Sequence, residues 1–147
     1  MHTFMTRILP VAAIFALAAC QGNTSTQTTA NNDSLLVDSL RTEVIALHDE
    51  GMTFTMAIRR LTARTKEVAD SLESKKANAD AYKAANVLLD SANKEMNTWM
   101  HSFDLKQEGK TLEEKKTYLE AEKKKMTDIK ALMERSVKEA KVLLKEE

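Results

Sequence analysis

The residues best suited to chemistry lie in two short stretches, His48-Asp-Glu-Gly-Met52-Thr-Phe-Thr-Met56 and Met96-Asn-Thr-Trp99-Met100-His101-Ser-Phe103. Thioether sulfur and imidazole nitrogen suit copper(I), and a Met/His pair can ligate haem iron. A copper set would draw on His48, Met52, Met56 and Met100. Projection at about 100° per residue weighs against one interior site. His48 lies about 80° from the centre of its apolar seam, Met52 about 120° and Met56 about 160°, while His101 is almost opposite its own seam. A c-type haem is excluded because no Cys-x-x-Cys-His is present. Read as structure, Met96 is a flexible core filler, His101 a solvated residue and His48 a hydrogen-bonded flank. Ile45, Met52 and Met56 form an apolar strip outside the seam, of the kind that marks a partner or self-association surface.

Nothing else in the chain points to catalysis. Asp49 and Glu50 are adjacent and so diverge by about 100° on a helix instead of facing each other. There is no Glu-x-x-His pair, no His-Glu-x-x-His, no glycine-rich phosphate loop and no plausible triad. No enzyme is expected. With 22 basic and 22 acidic side chains the chain has no electrostatic footprint for nucleic acid. One Cys excludes an intrachain disulfide, and three Gly with one Pro argue against a turn-rich β fold.

The elements that must position these residues are helices. Three runs alternate steps of three and four residues. The first is Leu40, Val44, Leu47, Gly51, Phe54, Ile58, Leu61, Thr65, Val68, Leu72. The second is Tyr82, Ala85, Leu89, Ala92, Met96, Trp99, Phe103, and the third runs from Leu112 through Leu119, Met126, Ile129 and Met133 to Leu143. Such spacing keeps one seam of each helix facing a partner. Asp33 or Ser34 can cap the first helix, Asn78 the second, and Thr111-Leu-Glu-Glu114 is a capping box for the third. The expected fold is all-α: an antiparallel, up-down-up three-helix bundle of coiled-coil character over 34–147, with helices near 34–72, 80–103 and 111–145. A helical hairpin that completes its core by oligomerising is the alternative. Turns centred near 76 and 107 would set Met52 level with Met100 and Met56 level with Met96. They would also bring His48, Phe103, Glu114 and Tyr118 to one end. Lys115, Glu122 and Ser136 interrupt the third seam and are expected to face solvent, or else to set register or open a groove. Gly51 costs helix stability of about 1 kcal/mol against Ala, which points to a close helix approach there.

Residues 1–19 read as a leader. Arg7 precedes an apolar stretch, Ile8 to Ala19, too short to span a bilayer. It ends Leu17-Ala18-Ala19-Cys20, which resembles the lipobox of bacterial lipoproteins. That resemblance implies cleavage before Cys20, its lipidation, palmitate among the acyl chains, and a membrane partner reached through that anchor. Several chains on one residue anchor stably where one is marginal. The only Pro, Pro10, would leave with the leader. Residues 20–33 are polar and of low complexity and read as a flexible tether, reaching at most about 43 Å beyond Cys20. Gln21 is not the Asp that favours inner-membrane retention in enteric lipoproteins, and no acidic cluster follows Cys20. The resemblance therefore implies the periplasmic face of the outer membrane. The terminal Lys145-Glu-Glu147 lacks the final Lys that murein-type lipoproteins use for wall linkage.

His48, Asp49, Glu50, Met52 and Met56, with Trp99 and Met100, are also similar to a group of small bacteroidete lipoproteins often labelled viral A-type inclusion protein. Gly51 and Thr53 depart from that pattern. The resemblance implies a lipoprotein of helical fold and carries no activity. The function expected is a non-catalytic, lipid-anchored envelope interaction module. It would act through Ile45, Met52 and Met56 on an envelope protein or a second copy. The alternative is a Met/His copper-binding lipoprotein in metal handling.

Overall fold

The alternating three- and four-residue spacing becomes helices whose seams face one another. A computed structural model describes residues 24–146, and side chains from residue 31 onward. In chain order the helices are α1 (Thr24–Met52), α2 (Thr55–Ser74), α3 (Asp80–Ser102) and α4 (Leu112–Leu144), with no strand among the described residues. The leader and Cys20 lie outside the described residues.

The first expected helix is in fact a broken rod. After Gly51 the ladder tightens: the Thr53 and Phe54 amides donate to Glu50 O and Gly51 O at 3.3 and 3.0 Å, three residues back instead of four. The Thr53 hydroxyl also donates to Glu50 O, at 2.6 Å. The four-residue ladder resumes with Ile58 N to Phe54 O at 2.8 Å. The rod also starts earlier than expected. Asp33 and Ser34, the expected caps, are internal to α1, and Thr24–Asp33 continues the helix in place of a flexible tether. No Gly or Pro occurs between Thr24 and Glu50 to stop it. Extending an existing helix costs far less than nucleating one. Residues 31–36 are nonetheless exposed, so this stretch lies outside the core.

The α2–α3 turn is closed without glycine. Lys76 takes the left-handed conformation (φ +56°), and the Ala77 amide donates to Leu72 O at 2.9 Å, satisfying the end of α2. The N-cap position of α3 is the buried Ala79 and not the expected Asn78, which stands one residue earlier and whose Oδ1 accepts from Asp80 N at 2.8 Å. At the start of α4 the capping box forms in full. The Glu114 amide donates to Thr111 Oγ1 at 3.3 Å, and Thr111 N donates to Glu114 Oε2 at 2.8 Å.

Ion pairs fix the directions. Glu43 pairs with Lys123 and Glu50 with Lys130, both 80 residues apart, so α1 and α4 run parallel in constant register. Lys83 pairs with Glu73, and three residues on Asn86 Nδ2 donates to Thr62 O at 2.8 Å and to Thr65 Oγ1 at 3.1 Å, so α3 runs antiparallel to α2. α1 packs on α4, α2 on α3 and α4, and α3 on α4. This is the up-down-up bundle, with its first rod bent. Val37, Leu40, Val44, Ile58, Leu61, Leu89, Ala92, Met96, Leu119, Met126 and Met133 fill its centre.

The polar seam positions do not face solvent as expected. Ser136 is buried and bonds Met133 O at 2.8 Å, one turn back. Glu122 is buried too, because α3 brings it a donor. Lys115 is half-buried.

Candidate functional site

Heptad spacing places Trp99 and Phe103 on the seam of α3, one turn apart, so their rings lie one above the other. Their centroids are 4.6 Å apart with planes 20° from parallel. His48 of α1 stacks on Trp99 at 5.6 Å, and Tyr118 of α4 stacks on Phe103 at 6.1 Å. Lys110 Nζ lies 4.6 Å from the Tyr118 ring centroid, within cation–π range. The stack thus joins α1, α3 and α4. His48, Phe103 and Tyr118 are linked by this column but do not share one end as expected: by the offset of 80 seen in the Glu43–Lys123 and Glu50–Lys130 pairs, His48 is level with Asp128, ten residues along α4 from Tyr118. Glu114 lies one turn before Tyr118 on α4, outside the column, exposed and committed to the capping box.

Below the stack, Trp99 Nε1 donates to Glu122 Oε2 at 2.7 Å, and Lys125 Nζ donates to Oε1 at 2.7 Å. Both carboxylate oxygens are therefore engaged, which is what a buried charge requires. The bond to Glu122 raises the Lys125 ammonium above its ordinary value. Burial raises the Tyr118 phenol, partly opposed by the Asp104 amide that donates to its oxygen at 2.8 Å. This arrangement ties α3 to α4 through the indole, the carboxylate and the ammonium.

The methionines divide into two groups. Met96 is 2% exposed and lies against Gly51, where an added Cβ would stand 2.6 Å from its Cε and 3.6 Å from Met126 Cε and from Met133 Sδ. Here Gly51 makes the close approach its cost implied, and Met96 is the expected core filler. Met52, Met56 and Met100 are at the surface, with Met56 73% exposed. Met56 and Met96, expected at one level, are therefore not brought together.

His48 and His101 are also separated in role. His48 Nδ1 lies 2.9 Å from Asp49 Oδ1 and its ring packs on Trp99. His101 is exposed, with Nδ1 2.6 Å from Asn97 O. Among the described residues no group of three or more His, Cys, Asp or Glu could hold a metal ion. The strip expected outside the seam is exposed throughout: Ile45 38%, Met52 36% and Met56 73%. Thr55 Oγ1 donates to Met52 Sδ at 3.6 Å across the helix break.

Sequence reasoning missed the Trp99–Glu122 bond and the open groove between α3 and α4, whose lining includes Ala81, Ala84, Ala85, Leu88 and Val142. The first had a signal: an indole donor and a carboxylate, both at seam positions of neighbouring helices. The second had little, since small residues on a helix flank look like ordinary surface.

No family model, no curated protein and no solved structure matches the chain. None of the described helices is long and apolar enough to cross a membrane.

Proposed function

We propose that this chain is a lipid-anchored, non-catalytic interaction module of the cell envelope, held through lipidated Cys20 at the periplasmic face of the outer membrane. Its docking surface is Ile45, Met52 and Met56, and its partner is an envelope protein or a second copy. The observation that carries the reading is the exposure of these three apolar side chains on a rod whose seam is already satisfied by α3 and α4. An apolar strip outside a completed core is stabilised when another surface covers it. The leader and the Leu-Ala-Ala-Cys20 sequence support the anchor. A photoreactive residue at Met56 should trap one discrete adduct in intact cells, and the same residue at Glu120 should trap none.

A second reading is copper(I) binding by His48, Met52, Met56 and Met100. The His48–Asp49 contact favours it, because a carboxylate on Nδ1 fixes the ring and leaves Nε2 as the donor atom. Titration with copper(I) against a competing chelator tests it. Unmeasurable binding, or binding unchanged in Met52→Leu/Met56→Leu, removes this reading.

A further inference from the structure

The connection between α3 and α4 does more than join them. Trp99 is level with Glu122, α3 ends three residues later at Ser102, and Phe103 stacks on Tyr118, so α4 continues from Tyr118 back to Leu112 with no α3 beside it. The constant offset of 80 between α1 and α4 places Val37 level with Thr117 and Leu40 level with Glu120, on either side of Tyr118 and Leu119. Val37, Leu40 and Leu119 are all buried. At this level the chain available to cover the third side of the α1–α4 pair is residues 103–111.

That segment is held at Tyr118 by three contacts: Phe103 stacks on its ring, Lys110 lies over the ring, and the Asp104 amide donates to its oxygen. Asp104 Oδ1 in turn accepts from the Lys106 and Gln107 amides, at 3.2 and 2.9 Å. The same segment carries two costs. Gln107 adopts φ +46°, a left-handed conformation unfavourable for a residue with a Cβ. Its side chain is fully buried, and neither Nε2 nor Oε1 finds a partner among the described residues.

We propose that residues 104–110 form a strap, clasped by Tyr118 and loaded by Gln107, that opens without the helices unfolding and uncovers the apolar α1–α4 seam beneath it. The clasp and the load are local, so the opening equilibrium is set by a handful of contacts while the seam of α4 stays paired. Opening lets the Gln107 amide reach water and its backbone relax, while the helical hydrogen bonds of α1 and α4 remain intact.

Hydrogen exchange of the full chain, read at single amides, tests this. The Gln107 and Lys110 amides should exchange at least about 100-fold faster than those of Leu119 to Met126, which require global unfolding. Tyr118→Phe removes the acceptor for the Asp104 amide and should speed strap exchange about tenfold with α4 unchanged. Gln107→Met keeps the side-chain length, removes the unpartnered amide, and should slow strap exchange about tenfold. Exchange of strap and α4 amides at one common rate would overturn the proposal. So would substitutions that shift both segments equally, or a Tyr118→Phe chain whose strap exchanges as before.

Discussion

The indole N–H of Trp99 donates to the carboxylate of Glu122 at 2.7 Å across the α3–α4 interface, with both residues at seam positions and both buried. An isolated carboxylate at a core position would be expelled or neutralised. Here one oxygen is taken by the indole and the other by Lys125, whose stem reaches from one turn further along α4. The pair converts a position that would weaken an apolar seam into one that favours a single α3–α4 register.

Removing both partners should therefore cost less than the two single losses added together. Glu122→Leu leaves the Trp99 N–H buried without an acceptor and should destabilise the bundle by about 2 kcal/mol. Trp99→Phe leaves a buried carboxylate with only Lys125 and should cost about 3 kcal/mol. The double variant should fall short of the sum by about 1–3 kcal/mol in urea unfolding followed by helical circular dichroism. Strict additivity would mean the bond contributes nothing.

Gly51 makes a separate test of packing. An Ala methyl there meets the Met96 Cε at 2.6 Å, but that atom is the end of a flexible chain and can swing aside. The gain in helix propensity, about 1 kcal/mol, should offset most of the crowding, so Gly51→Ala should change stability by under about 1 kcal/mol. Gly51→Leu has no such escape between Met96, Met126 and Met133 and should cost about 3 kcal/mol by the same unfolding measurement.

Much of this fold was legible because the seam rule concerns only spacing. Nearly every residue of the three runs is buried or half-buried, and Thr111–Glu114 forms its box because capping is local. The register between α3 and α4 was not legible. A turn centred at 107 would bring Trp99 level with residue 115, whereas it meets Glu122. The 103–111 connection runs along the bundle axis before α4 begins, and no local signal states how far a loop travels. The break at Thr53–Phe54 was hidden for a related reason: the seam spacing passes through it undisturbed, since Phe54 keeps its place against the core. Exposure of Met56 was legible from projection alone, while the stacking of His48 on Trp99 needed the third dimension.

The capping box should give stability a local pH dependence. Hydrogen bonds from the Thr111 amide and hydroxyl hold the Glu114 carboxyl below its ordinary value of 4.5. Lys123 does the same to Glu43, first by hydrogen bonding and then by its charge. A carboxyl depressed in the folded state contributes above its unfolded value and loses that contribution as pH falls through the folded one. Stability should therefore decline below about pH 4.5, and the decline should be shallower in Glu114→Gln. An identical acid limb in thermal melts of the two chains would contradict this account of the cap.

The anchor makes its own prediction. Cys20→Ser should move the protein from the membrane fraction to the soluble one, and the mature wild-type chain should carry acyl mass on Cys20 by mass spectrometry. An unmodified cysteine in a chain that still sediments with membranes would require another means of attachment.

The central claim is that Ile45, Met52 and Met56 are covered by another surface in the envelope. Photocrosslinking in intact cells, with the reactive residue at Met56 or at Glu120, addresses it most directly. The account predicts one discrete adduct at Met56, either a dimer of this chain or a complex with one envelope protein. That adduct should be lost when Ile45 and Met52 are replaced by Gln, and Glu120 should give none. A Met56 probe that traps nothing, or that labels the same diffuse set of proteins as Glu120, would contradict the claim.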